Sequence, residues 1–180
     1  MSSNFVAKEV EMVKTKNVDQ RACSYKTLDD LSRDLDQIES WYSAGTLTCK
    51  GNWSEGMIFD HVAKVFSYSI DGYPFKFAAP MRKIVTLMFK KKIMAGAPFP
   101  AGIKPPPRFL YSGDVAAASP DNDFTFEQGI DSLRSVIARV ENGERLTEPS
   151  PVLGPLTHEE GIRKHLAHAE LHLSFLDNSG

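Results

Sequence analysis

The chain contains little cysteine: 180 residues include only Cys23 and Cys49, far apart and without CxxC spacing. Two such cysteines do not form the disulfide framework of a small secreted domain. The segment Met1–Gln20 mixes charged and apolar residues and lacks the apolar core of a signal peptide. We therefore expect a cytoplasmic protein with reduced thiols.

A long apolar run and an excess of one charge are also missing. The most apolar segment, Ile84–Met94, is interrupted by three lysines, whereas a membrane-spanning helix needs roughly 18 uncharged apolar residues. The formal net charge of −2 is not that of a polyanion-binding protein. No GxGxxG or GxxxxGK loop is present. We expect neither a nucleic-acid partner nor a membrane partner.

What the sequence has is helical periodicity. Apolar residues recur at steps of three and four in five segments, which predicts helices that begin near Thr27, Ser54, Ala79, Thr125 and Thr157. Capping-box spacing marks three of these starts, and the last helix is predicted to continue to about Leu176. No strand-like alternation is convincing. The pattern predicts an all-α, antiparallel four-helix bundle, with the third helix and the proline-rich loop at 96–123 as an insertion.

Four of the five histidines lie in the last predicted helix: His158, His165, His168 and His172. They share a stripe roughly 80° wide, and His168 and His172 are an i, i+4 pair that can hold one metal ion. His61 lies on the apolar face of the second helix. Three imidazoles from two helices leave a coordination position open, as in a catalytic metal site. Histidines at this spacing also occur as hydrogen-bonded core residues or on a solvated face.

The roles of the residues around this set stay open. His165 could be a substituted ligand, a hydrogen-bond donor to one of the metal ligands or a substrate contact. His158 is expected to be solvated. Trp53 could line a cavity near His61. Asp60 and Glu170 are each near a proposed ligand in the sequence and could orient an imidazole, although neighbours on a helix point to different faces.

Two separated motifs resemble the DinB-like (YfiT-like) superfamily of metal-dependent enzymes, in a bacterial branch of unknown function. The first comprises Asn52–Ser54, Asp60–His61 and Tyr68–Pro74. The second comprises Gly154–Glu160 followed by His165, His168 and His172–Leu176. The resemblance covers roughly residues 26–176. It places an N-terminal extension at 1–25 and one DinB-like domain at 26–178.

The resemblance implies a four-helix bundle, often a homodimer, whose three histidines bind nickel, zinc or iron. Carried over, the ligands are His61, His168 and His172. Characterised members include metal-dependent transferases that use bacillithiol, mycothiol or glutathione, and a thiol-dependent isomerase. A low-molecular-weight thiol is thus implied as a second cofactor. Members of this branch often have a histidine directly before the last ligand, where this chain has Leu171.

Two functions follow as hypotheses. In the first, a metal-bound thiol or water attacks a small electrophilic substrate, as in a transferase or hydrolase. In the second, the bundle is a non-catalytic binding module that acts through a partner or an anionic surface. Every charged residue in the segment 72–113 is basic, which could receive an anionic thiol, a phosphate or an acidic membrane. The simpler interpretation of this segment is a solvated face balanced by the acidic first helix.

Overall fold

The computed structural model describes residues 13–97, 99 and 111–179. Within them the chain is mostly helical, with two small antiparallel sheets. The helices are α1 (Leu28–Ser43), α2 (Glu55–Asp71), α3 (Ala79–Met94), α4 (Phe126–Glu141) and α5 (His158–Leu173); the strands are β1 (Leu47–Cys49), β2 (Phe75–Phe77), β3 (Tyr111–Gly113) and β4 (Leu176–Asn178). All five predicted helices are confirmed. Much of the predicted proline-rich loop, at 98 and 100–110, lies outside the described residues, as do residues 1–12 of the N-terminal extension.

The helix starts follow from local capping. Thr27, Thr125 and Thr157 each accept a hydrogen bond from the backbone N–H three residues on, and the side chain at that third position accepts one from the threonine N–H. These reciprocal bonds satisfy N–H groups that have no partner within the helix. The three capping boxes predicted from the sequence are therefore confirmed.

The helices α2 and α4 run parallel, which corrects the prediction of a wholly antiparallel arrangement. At their N-terminal ends, a Cβ on Gly56 would lie 2.3 Å from the Phe124 carbonyl oxygen, and one on Gly129 would lie 2.6 Å from the Gly56 oxygen. At their C-terminal ends, Arg139 forms an ion pair with Asp71 at 2.6 Å. The long connection between these helices carries the chain back to the same end of the molecule.

The helix α5 runs antiparallel to α2, because His61 meets His168 and His172 while Ser69 meets His165. The helix α1 runs antiparallel to α4, because Arg134 pairs with Asp36 and Glu39 while Tyr42 stacks on Phe126. All four helices contribute buried apolar side chains to one core.

The two small sheets correct the all-α prediction. Strand β1 pairs with β4, so that Cys49 faces Leu176, and β2 pairs with β3. Three-residue strands are too short to show alternation in a sequence. The predicted end of the last helix is also wrong: α5 ends at Leu173. Leu176, fully buried, belongs to β4.

Residues that precede the predicted domain start at 26 also pack on this core. Tyr25 is 4% exposed and belongs to the core cluster. Arg21 forms two 2.7 Å hydrogen bonds to Asp34 and donates to the Leu176 carbonyl oxygen at 2.8 Å. The packed structure therefore extends at least five residues upstream of position 26.

Several apolar residues of helix α3 are exposed to solvent and do not form the buried face that the sequence predicted. Ile84, Leu87 and Met88 are 53%, 84% and 56% exposed, whereas Ile93 is buried. Lys90 of this helix pairs with Glu160 at 3.0 Å. Acidic residues of α1 pair instead with Arg21, Arg33 and Arg134, so the expected balance between α1 and the basic segment is not seen among the described residues. In the described part of the chain, no helix is long and apolar enough to cross a membrane.

Candidate metal centre

The antiparallel pair of α2 and α5 brings three histidines together. His61 Nε2 lies 3.2 Å from His168 Nε2, which lies 3.1 Å from His172 Nε2. One ligand atom from each of the three lies within 4.8 Å of the others. The ring nitrogen of His61 therefore meets those of His168 and His172, although His61 is more than 100 positions from both in the sequence.

The spacing of these nitrogens fits a single divalent ion. Imidazole nitrogens bind zinc at about 2.0–2.1 Å, so two of them on one ion are roughly 3.0–3.4 Å apart at angles between octahedral and tetrahedral. The two observed Nε2 separations fall in that range. Three neutral nitrogen donors suit zinc, nickel and iron better than the hard cations calcium and magnesium.

Hydrogen bonding selects the tautomer of His61. Its Nδ1 lies 2.6 Å from the carbonyl oxygen of Ala118, in the 3-10 turn Val115–Ala118. A carbonyl can only accept, so Nδ1 carries the proton and Nε2 presents a lone pair to the cluster. Tyr68 donates to the Ala117 carbonyl oxygen at 2.8 Å and so ties the same turn to α2.

Burial keeps the cluster neutral. Burial lowers the pKa of His61, and it lowers the pKa values of His168 and His172 well below 6.5, assisted by the neighbouring imidazoles. Neutral imidazole is the metal-binding form. Nδ1 of His168 is buried and has no hydrogen-bond partner in the described structure. A neutral imidazole carries only one N–H group, so the three rings cannot satisfy all of their clustered nitrogens by hydrogen bonds to one another.

Two aromatic side chains contact the cluster. The Trp53 ring stacks on His172, with centroids 5.4 Å apart and planes 11° apart, and lies 5.0 Å from the His61 ring. Phe99 contacts the His168 ring edge-on at 6.1 Å. Trp53 therefore lies beside His61, as predicted.

The comparison with protein families gives one finding: a model described as a protein of unknown function, DUF1569, matches residues 17–179. The chain belongs to the DUF1569 family. No curated protein and no solved structure matches it.

In this DUF1569 chain, the two acidic residues named with the site do not contact its imidazoles by hydrogen bonding. Asp60 accepts from the Asp121 N–H at 2.8 Å and pairs with Lys64 at 2.7 Å. Glu170 is 3% exposed, pairs with Arg163 at 2.9 Å and accepts from the Tyr25 N–H at 2.7 Å. Asp60 thus fixes the loop before α4, and Glu170 fixes the segment before α1.

The other two histidines of α5 lie outside the triad. His165 is 1% exposed, stacks on Phe66 at 4.2 Å and lies 2.6 Å from the Ser69 hydroxyl through Nε2. Burial and the nearby Lys164 lower its pKa well below 6.5. His158 is half-buried and accepts from the Leu146 N–H at 3.2 Å, so the expectation that it is solvated is wrong.

A second buried polar group of the DUF1569 chain was not predicted from the sequence. Lys164, 5% exposed, donates to the Tyr73 hydroxyl at 2.6 Å and to the Ser69 hydroxyl at 3.2 Å. The signal was available, because Lys164, His168 and His172 follow one another at four-residue spacing and so share one face of α5.

Proposed function

We propose that this protein is a DinB-like metal-dependent enzyme in which His61, His168 and His172 bind one divalent ion, namely zinc, nickel or iron. The observation that carries the proposal is the convergence of their three Nε2 atoms, with two separations of 3.2 and 3.1 Å. Four helices around one core, and the two sequence motifs that resemble the superfamily, support the same assignment. On this proposal α1, α2, α4 and α5 are the four-helix bundle of that superfamily.

His61, His168 and His172 would hold the ion, and the chemistry that it would supply is a lowered pKa for a thiol or water, giving a nucleophile at neutral pH. The chain's own residues prepare the site. The Ala118 carbonyl fixes the ring and tautomer of His61, and burial keeps the three rings unprotonated. Trp53 covers one side of the cluster with an apolar ring, which limits the access of bulk water.

The reaction that we propose is transfer to, or hydrolysis of, a small electrophilic substrate, with a low-molecular-weight thiol as the co-reactant in the transferase case. In a transfer, the thiolate sulfur forms a bond to the electrophilic carbon, the leaving group departs with the bonding pair, and the thiol proton goes to solvent. In a hydrolysis, water takes the place of the thiol. Both begin with loss of a proton from the nucleophile.

The test is the metal content of protein purified without a polyhistidine tag, measured by elemental analysis. We expect about one divalent ion per chain, lost in His168→Ala and retained in His158→Ala, which removes a histidine of the same helix outside the triad. Unchanged metal content in His168→Ala would contradict the site. A panel of thiols with electrophilic acceptors then separates transferase from hydrolase, since only the transferase depends on thiol.

A second candidate function is a non-catalytic binding module that acts through α3. The exposed Ile84, Leu87 and Met88 lie on a helix that carries four lysines, one arginine and no acidic residue. That composition fits an anionic surface. Salt-dependent sedimentation with anionic vesicles, absent in Leu87→Asp, would favour this function. The homodimer implied by the resemblance is tested in the same samples by sedimentation velocity.

A further inference from the structure

The facing sides of α2 and α5 form one continuous polar seam. On α2, His61 and Ser69 are eight residues apart and so lie on the same face. On α5, His172, His168 and Lys164 follow at four-residue spacing on the opposing face. Because the helices are antiparallel, His61 meets His168 and His172 at one end, and Ser69 meets His165 and Lys164 at the other.

The Lys164 end of the seam contains a buried cation without a counter-ion. Its Nζ is bonded to two hydroxyl groups, those of Tyr73 and Ser69, and lies 5.3 Å from the centre of the Tyr73 ring. No carboxylate forms an ion pair with it in the described residues. Lysine is almost never fully buried unless it is paired, since removing an ammonium group from water is strongly unfavourable.

Several half-buried cations among the described residues form ion pairs, whereas the half-buried Arg82 forms none. Arg163 forms two hydrogen bonds to Glu170, at 3.0 and 2.9 Å, and Arg21 forms two to Asp34. Lys64 pairs with Asp60. Lys164, at 5% exposure, is more deeply buried than any of these cations and has no carboxylate partner, and it lies on the face that carries two of the three clustered histidines.

The groups around Lys164 are also incompletely satisfied. Ser69 lies 2.6 Å from the Tyr73 hydroxyl and 2.6 Å from His165 Nε2, while His165 Nδ1 is buried with no partner in the described structure. Tyr73 as a residue is half-buried, whereas Ser69 and Lys164 are 4% and 5% exposed, so Tyr73 is the least buried of the three. An ammonium group and two hydroxyls are donors that together can bind a carboxylate.

We propose that Lys164, Tyr73 and Ser69 form a carboxylate-binding subsite that orients the substrate of the metal centre. The role as a substrate subsite rests on the proposed function. Four residues of an α-helix rise about 6 Å, so the bound carboxylate lies one turn from His168. The substrate class is thus a small carboxylic acid whose reacting atom lies several bonds from its carboxylate. Burial lowers the pKa of Lys164 to about 7, and a bound carboxylate would supply the missing counter-charge.

The test uses the full chain in metal-free form, so that a carboxylate cannot coordinate a metal ion. Sodium butyrate is the probe, butyramide its uncharged control, and amide shifts in ¹H–¹⁵N NMR spectra the readout. We expect saturable shifts around Ser69, Tyr73 and Lys164 with butyrate and none with butyramide. Lys164→Met should weaken butyrate binding at least tenfold, because a charged hydrogen-bond partner is removed. Lys90→Met, which removes a lysine paired with Glu160, should bind as the wild type does.

Tyr73→Phe provides a second variant with nearly the same packing, and we expect it to bind butyrate several-fold more weakly. The absence of saturable shifts around Ser69, Tyr73 and Lys164 would overturn the subsite. So would equal butyrate affinity in Lys164→Met, Tyr73→Phe and the wild type. The two proposals fail separately. Butyrate binding without any metal binding would support the carboxylate site and contradict the metal centre. Metal binding without butyrate binding would support the metal centre and contradict the carboxylate site.

Discussion

Trp53 and His172 stack with ring centroids 5.4 Å apart and planes only 11° from parallel. This contact makes the indole a reporter for the triad. A paramagnetic ion such as Co²⁺ or Ni²⁺ bound by the three Nε2 atoms should quench the fluorescence of Trp53. We expect saturable quenching that survives Trp41→Phe and disappears in Trp53→Phe.

Quenching that persists in Trp53→Phe would place the ion elsewhere. Trp41 is the matched control because it is the other tryptophan of the chain, and it packs near Arg21, with the guanidinium carbon 5.2 Å from its ring centroid.

Substitution of Glu170 tests whether this residue stabilises the fold or affects metal binding. Because it pairs with Arg163 and accepts from the Tyr25 N–H, Glu170→Gln should destabilise the fold while leaving metal affinity unchanged. Breaking a buried ion pair typically costs about 3–5 kcal/mol. Urea unfolding measures the stability and titration with a chelator measures the affinity. A large fall in metal affinity with unchanged stability would assign Glu170 to the orientation of an imidazole after all.

The helices could be predicted from the sequence because their signals are local. A capping box and an apolar period are read within a few residues, as at Thr125 and Gln128. The parallel direction of α2 and α4 depends on a contact between Gly56 and Gly129, which are distant in the chain, so no local pattern reports it. The short strands carry too few residues to show a period.

Some residues of the candidate site could likewise be predicted from local sequence patterns, and others could not. His168 and His172 follow from helical spacing, and His61 from the apolar face of α2. Proximity in the sequence is a poor guide for Asp60 and Glu170, because helix residues one or two positions apart point about 100° or about 200° apart. Lys164 has the same four-residue spacing from His168 as His168 has from His172, so helical spacing also places it on this face of α5.

The contact between α2 and α4 predicts the effect of a single methyl group. In Gly56→Ala the new Cβ would meet the Phe124 and Thr125 carbonyl oxygens at 2.3 and 2.4 Å, and backbone cannot move aside as a flexible side chain can. We expect destabilisation of about 2 kcal/mol or more, since overpacking typically costs about 1–3 kcal/mol. Gly51→Ala, whose Cβ would meet only the Phe175 ring at 3.3 Å, is the control in thermal unfolding. Equal melting temperatures for the two variants would contradict the close approach of the helices.

The buried imidazoles predict acid sensitivity of the metal-free protein. The pKa values of His61, His165, His168 and His172 are all lowered on folding, so the unfolded chain binds protons below about pH 6.5 that the folded chain excludes. The free energy of unfolding should therefore fall as the pH falls from 6.5, by about 1.4 kcal/mol per pH unit for each such histidine. Urea titrations between pH 7.5 and 5 measure the slope. His165→Gln should reduce it by about one proton, and an identical slope in that variant would contradict the burial of a neutral His165.

Lys164 predicts a pH dependence of the same sign at higher pH, because its pKa is also lowered on folding. Its pKa is lowered on folding from 10.5 to about 7 by burial. Between those values the unfolded chain binds a proton at Lys164 that the folded chain does not, so the contribution of Lys164 to stability should increase from about pH 7 towards pH 10. Below pH 7 both states are protonated and the penalty for burying the ammonium is complete. Lys164→Met removes that penalty with a side chain of similar length, and we expect it to be more stable than the wild type by roughly 1–4 kcal/mol at pH 6.

This gain should shrink as the pH rises towards 10, where the wild-type amine is neutral. Lys64→Met is the matched control, because Lys64 is paired with the buried Asp60 and its removal should lower stability at both pH values. Thermal unfolding of the three proteins at pH 6 and pH 9.5 gives the comparison. A Lys164→Met variant that is less stable than the wild type at pH 6 would mean that the amine is a structural element of the core. A more stable variant that no longer binds butyrate would show that this buried charge is kept for binding at the expense of stability.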